Sequence, residues 1–166
     1  MKTFAGNPRR GSSLVEFALC FTPVFFIILA VFEISRCMWT YETLSYSVTE
    51  ATRLAIVHGE NCGAAPNSCT ITVAAIAQRI AASSQGLQPD QMTVGLASSG
   101  GGATVSCNPL SSCLANTAVW PVSPGNTRSS ELTVSAIYPF QSTIATLFPG
   151  FLAVNLTASS QEQVQF

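Results

Sequence analysis

Residues 14–32 read LVEFALCFTPVFFIILAVF, and this stretch decides how the rest of the chain is arranged. Only one of its residues, Glu16, carries a charge. A run of about 20 apolar residues is long enough to cross the hydrocarbon core of a bilayer as a single α-helix. The sequence therefore predicts a transmembrane helix close to the N-terminus, which we place at residues 12–33.

Charged residues on the two sides of this span predict its orientation. Lys2, Arg9 and Arg10 precede it, whereas residues 33–53 contain three glutamates and two arginines. Short segments rich in Lys and Arg stay in the cytoplasm. We therefore expect residues 1–11 to be a cytoplasmic leader, with the chain outside the membrane after about residue 33. A cleaved secretory signal peptide fits this sequence less well than a membrane anchor, because the apolar run continues directly into a further helical pattern.

Length and composition favour one outer domain on an anchor. The chain has 166 residues, a mean hydropathy of +0.38 and only 9% charged residues. Its formal net charge is −1, and its basic residues do not cluster outside the N-terminus. A nucleic-acid-binding surface needs such a cluster, so no nucleic-acid partner is expected.

Glu16 and Gly11 are the two candidate functional residues near the span. A carboxylate at the edge of a membrane span is costly and marks a functional candidate. It could also be an acid at a helix N-terminus, where the helix dipole stabilises it, and both interpretations can hold. Gly11, five residues earlier, is either a flexible link or the small residue that a peptidase requires before its cut.

The helical pattern continues past the membrane, so residues 34–59 are predicted to extend the same helix. The whole helix is expected from Leu14 to His58, with Gly59 as its stop and a kink near Pro23. Apolar residues recur at spacings of three and four, which predicts one buried stripe. The stripe comprises Ile34, Cys37, Tyr41, Leu44, Val48, Ala51 and Ala55.

Residues 60–166 are predicted to form an α+β domain outside the membrane. A second helix is expected at 71–82, with Val73, Ile76, Ala77 and Ile80 buried and Gly86 as its end. Glycine-rich residues 98–102 read as a flexible tip. Alternating apolar residues predict a short antiparallel sheet, with strands at 91–97, 103–107, 114–120, 131–138 and 152–160.

Four cysteines in the outer domain predict disulfides rather than a metal site. The gaps between Cys62 and Cys69 and between Cys107 and Cys113 are wider than paired zinc ligands prefer. Disulfides are the default in an oxidising compartment, and four cysteines allow about three pairings. Local pairing within each couple requires the least chain closure, so we expect Cys62–Cys69 and Cys107–Cys113.

No group of residues predicts catalysis. The chain has a single histidine, His58, beside the predicted helix end, where it reads as a terminal cation. Asp90 is the only aspartate, and no glycine-rich phosphate loop precedes a helix. Glu33 and Arg36, three residues apart on one helix face, predict an ion pair at the outer membrane boundary. We expect neither an enzyme nor a cofactor.

Three blocks of sequence resemble the TadE-like minor pseudopilins of the tight-adherence (Tad/Flp) pilus system. Residues 10–19 resemble the family opening G-x-x-x-V-E-F-A-L. Glu33 and Arg36 match the acid-x-x-Arg pattern that the family has at the end of its span. Residues 49–55 match the A-R-x-A pattern that ends the family's long helix. Residues 134–140 with 156–159 resemble its closing strands around Tyr-Pro. Residues 60–130 match nothing in the family.

The resemblance implies a pilin-like fold and a part in pilus assembly, with adhesion and biofilm formation as the outcome. A prepilin peptidase would cut between Gly11 and Ser12, and Glu16 with Phe17 would set the register between neighbouring subunits. The implied location is the bacterial inner membrane, with the outer domain in the periplasm and possible incorporation in the pilus. The implied partners are other pseudopilins, the major Flp pilin and the Tad inner-membrane platform.

Two features separate the chain from the major Flp pilin. That pilin has Tyr after the glutamate, where this chain has Phe17, and it is far shorter, which favours a minor component. The wider family also includes simple membrane anchors. The alternative function is therefore an uncleaved periplasmic adaptor of the same secretion apparatus.

Overall fold

The computed structural model describes residues 9–59, 70–143 and 153–165. The fold is α+β, as predicted, with one long apolar helix, one short helix and a four-stranded antiparallel sheet. The helices are α1 (Arg9–Ile56) and α2 (Val73–Ser83), and a 3₁₀ turn covers Leu110–Cys113. The strands are β1 (Thr93–Ser98), β2 (Val105–Cys107), β3 (Glu131–Gln141) and β4 (Ala153–Gln163).

The chain divides into two compact units, an N-terminal unit of Met1–Arg36 and a C-terminal unit of Cys37–Phe166. The division falls close to residue 33, where we expect the span to end. The sequence predicts that residues 34–59 extend the helix outside the membrane and present an apolar stripe. From Cys37 onward the helix belongs to the same compact unit as the sheet.

The helix α1 begins at Arg9, earlier than the predicted Leu14, and ends at Ile56. It is long and apolar enough to cross a membrane, and its most apolar stretch is fully exposed in the isolated chain. Pro23 lies inside it and cannot donate a hydrogen bond to the carbonyl four residues earlier. The hydroxyl of Thr22 donates to the carbonyl of Ala18 at 2.7 Å, which adds a side-chain bond in the same turn.

The predicted apolar stripe of α1 is buried only in its second half. Leu44, Val48, Ala51 and Ala55 are all fully buried in the core of the C-terminal unit, whereas Tyr41 is 41% exposed. The small Ala51 and Ala55 are packed without leaving exposed apolar surface. The stripe therefore stabilises the unit from Leu44 onward, a shorter range than its sequence pattern predicts.

The second helix follows its predicted pattern closely. The hydroxyl of Thr72 accepts a hydrogen bond from the Ala75 amide at 3.2 Å and caps the N-terminus of α2. Its predicted buried stripe is buried in the structure. The stripe consists of Val73, Ile76, Ala77 and Ile80.

The sheet has the strand order β2-β1-β3-β4, with every neighbouring pair antiparallel. Side chains alternate between its two faces. One face packs into the core together with α2 and the second half of α1. Its residues in the core cluster on β1, β3 and β4 are Val94, Leu96, Leu132, Val134, Ala136 and Ala158, and Phe140 on β3 is also buried.

The strand β3 continues through Pro139, although we predicted that it ends at Tyr138. Ser99 donates its amide to the carbonyl of Glu131, so the odd-numbered residues of β3 direct their backbone groups toward β1. Pro139 is odd-numbered and lies beyond Thr93, the first residue of β1. Its missing N–H therefore removes no ladder hydrogen bond, and the strand can pass through the proline.

The prediction of a strand at 114–120 is wrong. This segment contains only an isolated bridge between Thr72 and Val119. Trp120 is buried in the core, and its amide donates to the carbonyl of Ile71 at 3.0 Å. The alternation that suggested a strand therefore reflects one large side chain filling the core beside α2.

The sequence predicts a flexible tip at residues 98–102, and in the structure the end of β1 and the glycine-rich loop after it contact other segments. The hydroxyl of Ser99 accepts a hydrogen bond from the Glu131 amide at 2.8 Å, and the hydroxyl of Ser98 donates to the carbonyl of Gly125 at 2.8 Å. A β-carbon on Gly125 would overlap the carbonyl oxygen of Gly101. The glycines here allow two loops to approach closely.

Candidate functional site at the start of the long helix

The predicted processing site lies within the first turn of α1. The helix begins at Arg9, so Gly11 and Ser12 have helical backbone in the full-length chain. The first amides of a helix have no partner within the helix, so its first turn opens at low cost. A peptidase that cuts after Gly11 has to unwind only this turn.

Glu16 is exposed and hydrogen-bonded to the residue that follows the predicted cut. The hydroxyl of Ser12 donates to Oε1 of Glu16 at 3.1 Å, one helical turn apart. Glu16 lies outside the first turn of α1, which contains no acid. Stabilisation by the helix dipole falls off within that first turn, so the dipole alone does not account for this acid. Ser12 is predicted from sequence as the residue after the cut, but its hydrogen bond with Glu16 is not, although the i, i+4 spacing is a recognisable signal.

Phe17 begins a ladder of aromatic rings on the surface of α1. Its ring stacks on Phe21 with centroids 5.5 Å apart, and Phe21 stacks on Phe25 at 6.0 Å. These rings are exposed in the isolated chain. They present a continuous apolar face immediately beside Glu16, suited to lipid or to another helix.

A shallow apolar depression lies on α1 close to the same acid. Its lining includes the small side chains of Ala18 and Thr22 and the larger ones of Leu14 and Phe26. Helices in membranes associate closely where small residues let their backbones approach. Glu16 thus lies between surfaces that a neighbouring helix can contact.

Glu33 and Arg36 form the ion pair that their spacing predicts. Nη1 of Arg36 lies 3.0 Å from Oε1 of Glu33. The Arg36 side chain is 48% exposed, whereas that of Glu33 is only 16% exposed. An exposed pair of this kind contributes about 0.3–0.5 kcal/mol, so its position at the end of the span matters more than its contribution to stability.

One of the two predicted disulfides lies in the described part of the chain. Cys107, at the end of β2, is bonded to Cys113 in the 3₁₀ turn, with a Cα–Cα distance of 5.7 Å. Both residues are buried. Cys62 and Cys69 lie outside the described residues, and Cys20 and Cys37 are free.

Over the ranges described, the structure contains no group of three or more His, Cys, Asp or Glu residues that would hold a metal ion. His58 lies just after α1, and its Nδ1 is 2.7 Å from the carbonyl oxygen of Leu54. This contact is local to the helix end.

The model of the TadE-like protein family matches residues 11–53. The matched segment contains Gly11, Glu16, Glu33 and Arg36, so the resemblance is confirmed over this part of the chain. The search of curated proteins and the search of solved structures each gave no match.

Proposed function

We propose that this chain, whose residues 11–53 match the TadE-like family, is a minor pseudopilin that takes part in assembly of the Tad/Flp type IV pilus. The match supports a component of the Tad pilus machinery. The observation that carries the finer role is the placement of Glu16, exposed on the apolar helix one turn after Ser12. A carboxylate on an apolar membrane helix is costly and marks a functional candidate, which supports a role in assembly.

Processing after Gly11 would change the charge around Glu16. The cut gives Ser12 an α-ammonium group, four residues before the carboxylate. In the full-length chain Ser12 already contacts Glu16 through its hydroxyl. Opposite charges attract strongly where water is excluded, and an unpaired buried charge is costly. The carboxylate is thus available to pair with the ammonium of its own chain or of a neighbour.

In this proposal Glu16 sets the register between neighbouring helices. The stacked rings that start at Phe17 and the depression at Ala18 and Thr22 would form the apolar contact on both sides of the acid. Apolar helices slide easily against one another in lipid, because packing alone gives many similar arrangements. A single charge pair that must be satisfied selects one of them.

The proposed location is the bacterial inner membrane, with the N-terminus in the cytoplasm and the C-terminal unit in the periplasm. The apolar helix supports one membrane crossing, and the preceding basic residues support the orientation. The Cys107–Cys113 disulfide is consistent with an oxidising compartment. Protease added to spheroplasts should remove the C-terminal unit while leaving a cytoplasmic marker intact.

The deciding experiment is N-terminal mass mapping of the membrane-purified chain, expressed with and without its prepilin peptidase. We expect a mature chain that starts at Ser12 only when the peptidase is present. Gly11→Val should stay full length, because the larger side chain obstructs the peptidase. Gly6→Val is the matched control in the leader and should be cut normally.

The alternative function, an uncleaved periplasmic adaptor of the same apparatus, predicts the opposite result. The chain would start at Met1 in every sample, and Gly11→Val would have no effect on pilus assembly. We propose no enzymatic activity under either function. Hydrolysis of a broad substrate set by the purified full-length chain would contradict that.

A further inference from the structure

The strand β4 lies at one edge of the four-stranded sheet. The amide of Val164 donates a hydrogen bond to the carbonyl of Ser130 at 2.9 Å. This bond continues the register in which Glu131 of β3 lies opposite Gln163 of β4. The even-numbered residues of β4 therefore direct their backbone groups toward β3. The odd-numbered residues direct theirs away from the sheet. Among the residues that the structure describes, no strand pairs with that side.

The sequence of β4 lacks the residue types that usually protect an edge strand. Natural sheets protect edges with short strands, lysine, proline or bulges. Residues 153–163 contain no Lys, Arg or Pro, and their one charge, Glu162, lies at an even-numbered position. The odd-numbered residues of β4 whose side chains are described are all exposed and uncharged. They are Asn155, Thr157, Ser159, Gln161 and Gln163.

The opposite edge of the sheet is protected, which makes the open side of β4 distinctive. The strand β2 has only three residues, Val105–Cys107. Its last residue is tied by the disulfide to Cys113 in the 3₁₀ turn. A strand of this length offers little backbone for pairing. Among the residues that the structure describes, β4 is the edge with the longer run of backbone groups that lack a strand partner.

We propose that β4 pairs with β4 of a second copy of this chain, antiparallel across a two-fold axis, to join the two sheets. An antiparallel edge is self-complementary, because each outward amide meets an outward carbonyl of the other copy. A register centred on Ala158 places Thr157 opposite Ser159 of the second copy. Small hydroxyl side chains then face each other, and no like charges oppose.

A second copy fits this edge better than a charged partner does. The outward residues carry no charge to steer a basic or an acidic segment. A single strand pairing is smaller than the interface of about 1,600 Å² that is typical of stable complexes. Confinement to one membrane raises the effective concentration of copies, which compensates for a small interface. The inference rests on the membrane anchor and not on pilus assembly.

The test is thiol crosslinking of the full-length chain in native membranes, with Cys20→Ser and Cys37→Ser as the background. Ser159→Cys should give a crosslinked species of twice the chain mass with a short bifunctional maleimide. Ala97→Cys on β1 is the matched control. In the joined sheet the two β1 strands are five strand spacings apart. The two Ala97→Cys thiols are therefore roughly 24 Å apart and should not crosslink.

Proline substitutions separate the pairing from the fold of the single chain. Thr157→Pro removes an outward amide and should decrease the Ser159→Cys dimer by about tenfold or more, with unchanged thermal unfolding. Ser160→Pro removes an amide that faces β3 and should destabilise the chain itself. If Thr157→Pro also unfolds the chain, Thr157→Lys keeps the amide and places a charge on the edge, and the same loss of dimer is expected.

Three results would overturn the proposal. The first is a Ser159→Cys chain that stays monomeric in membranes at its normal level. The second is a dimer that persists in both Thr157 variants. The third is a crosslinked product whose mass shows a different protein on β4. A cleavage defect at Gly11 would leave the crosslink in place, so failure of the pilin proposal and failure of the pairing are distinguishable.

Discussion

Ser12 and Glu16 contact each other across one turn of α1, with 3.1 Å between the hydroxyl oxygen and the carboxylate oxygen. Ser12 is also the residue that a cut after Gly11 would leave at the new N-terminus. The carboxylate therefore has a neutral donor beside it before processing and would have an ammonium group there afterwards. Under the proposed function, this pair of positions would have a hydrogen bond in the full-length chain and a charge pair after the cut.

The first prediction separates assembly from anchoring through Glu16. Glu16→Ala should insert into the membrane at a normal or raised level, because removal of a charge from the span saves at most about 2–3 kcal/mol. Pilus assembly should fall sharply, since the ammonium of a neighbour loses its counter-charge. Glu16→Gln should fail in the same way, because it keeps the shape of the side chain but not the charge. Counting pili by electron microscopy at matched protein level measures the effect.

Glu42→Gln is the matched control for this prediction. Glu42 is an exposed carboxylate on the same helix, within the C-terminal unit. Its neutralisation should leave piliation unchanged. Normal piliation in both Glu16 variants would mean that the charge at this position has no part in register.

The second prediction concerns the packing of α1 in the C-terminal unit. Leu44 is fully buried, whereas Tyr46, two residues later, is 59% exposed. Leu44→Ala should lower the free energy of unfolding by about 2–5 kcal/mol, because it removes buried methyl groups and leaves a cavity. Tyr46→Ala should change it by less than about 0.5 kcal/mol. Thermal unfolding of the full-length chain in detergent, followed by circular dichroism, compares the two.

Local sequence patterns predicted the helices and most of the sheet. The spacing of Leu44, Val48, Ala51 and Ala55 identified a buried helix face, because a period near 3.6 residues has few other interpretations. Alternation at residues 132–138 identified β3 for the corresponding reason. Both signals lie within one element, where the sequence itself carries the periodicity.

Long-range contacts explain what the sequence patterns missed. The alternation around Trp120 looked like a strand, but the side chain fills the core and its amide bonds to Ile71. The glycines at 100–102 looked like a flexible tip, because their packing partner, Gly125, lies far away in sequence. The edge position of β4 depends on the strand order, which no single segment encodes.

The third prediction tests the close approach of the two loops at Gly125. Gly125→Ala should destabilise the C-terminal unit, because the new β-carbon would overlap the carbonyl oxygen of Gly101, a backbone atom that cannot turn aside. The expected loss of unfolding free energy is about 1–3 kcal/mol, typical of overpacking. Ser123→Ala, at an exposed position in the same loop, is the control and should unfold like the parent chain. Equal stability of all three chains would show that the loops separate freely.

The fourth prediction concerns the ion pair that connects the two helices. Nη2 of Arg79 on α2 lies 2.7 Å from Oε2 of Glu50 on α1, whereas Nη1 of Arg53 lies 3.9 Å from the other carboxylate oxygen. Arg79→Gln should cost about 0.2–1 kcal/mol, since its side chain is half exposed and the pair is screened by salt. Arg53→Gln should cost less, because its contact is longer. If Arg79→Gln lowers the free energy of unfolding at low salt but not at high salt, the contribution of the Arg79–Glu50 pair is electrostatic.

The last prediction concerns the buried disulfide between Cys107 and Cys113. Its loop is short, with a sequence separation of 6, so the chain-entropy model gives about 2 kcal/mol of stabilisation. Replacement of both cysteines by alanine should lower the unfolding free energy by about that amount. Alanine is a better replacement for these buried cysteines than serine, because a buried serine hydroxyl would add the cost of an unsatisfied donor.

The free cysteines of α1 provide the control for the disulfide. Replacing Cys20 and Cys37 by serine should leave thermal unfolding of the C-terminal unit unchanged, because neither forms a disulfide. A reducing agent should destabilise the parent chain more than the alanine variant at the 107–113 pair, because that variant retains only the predicted Cys62–Cys69 disulfide. Non-reducing peptide mapping should find Cys107 linked to Cys113, and we also predict a link between Cys62 and Cys69. Cross-linked peptides between the two couples would refute local pairing, because the closure of the short 107–113 loop would then not be the constraint that stabilises this unit.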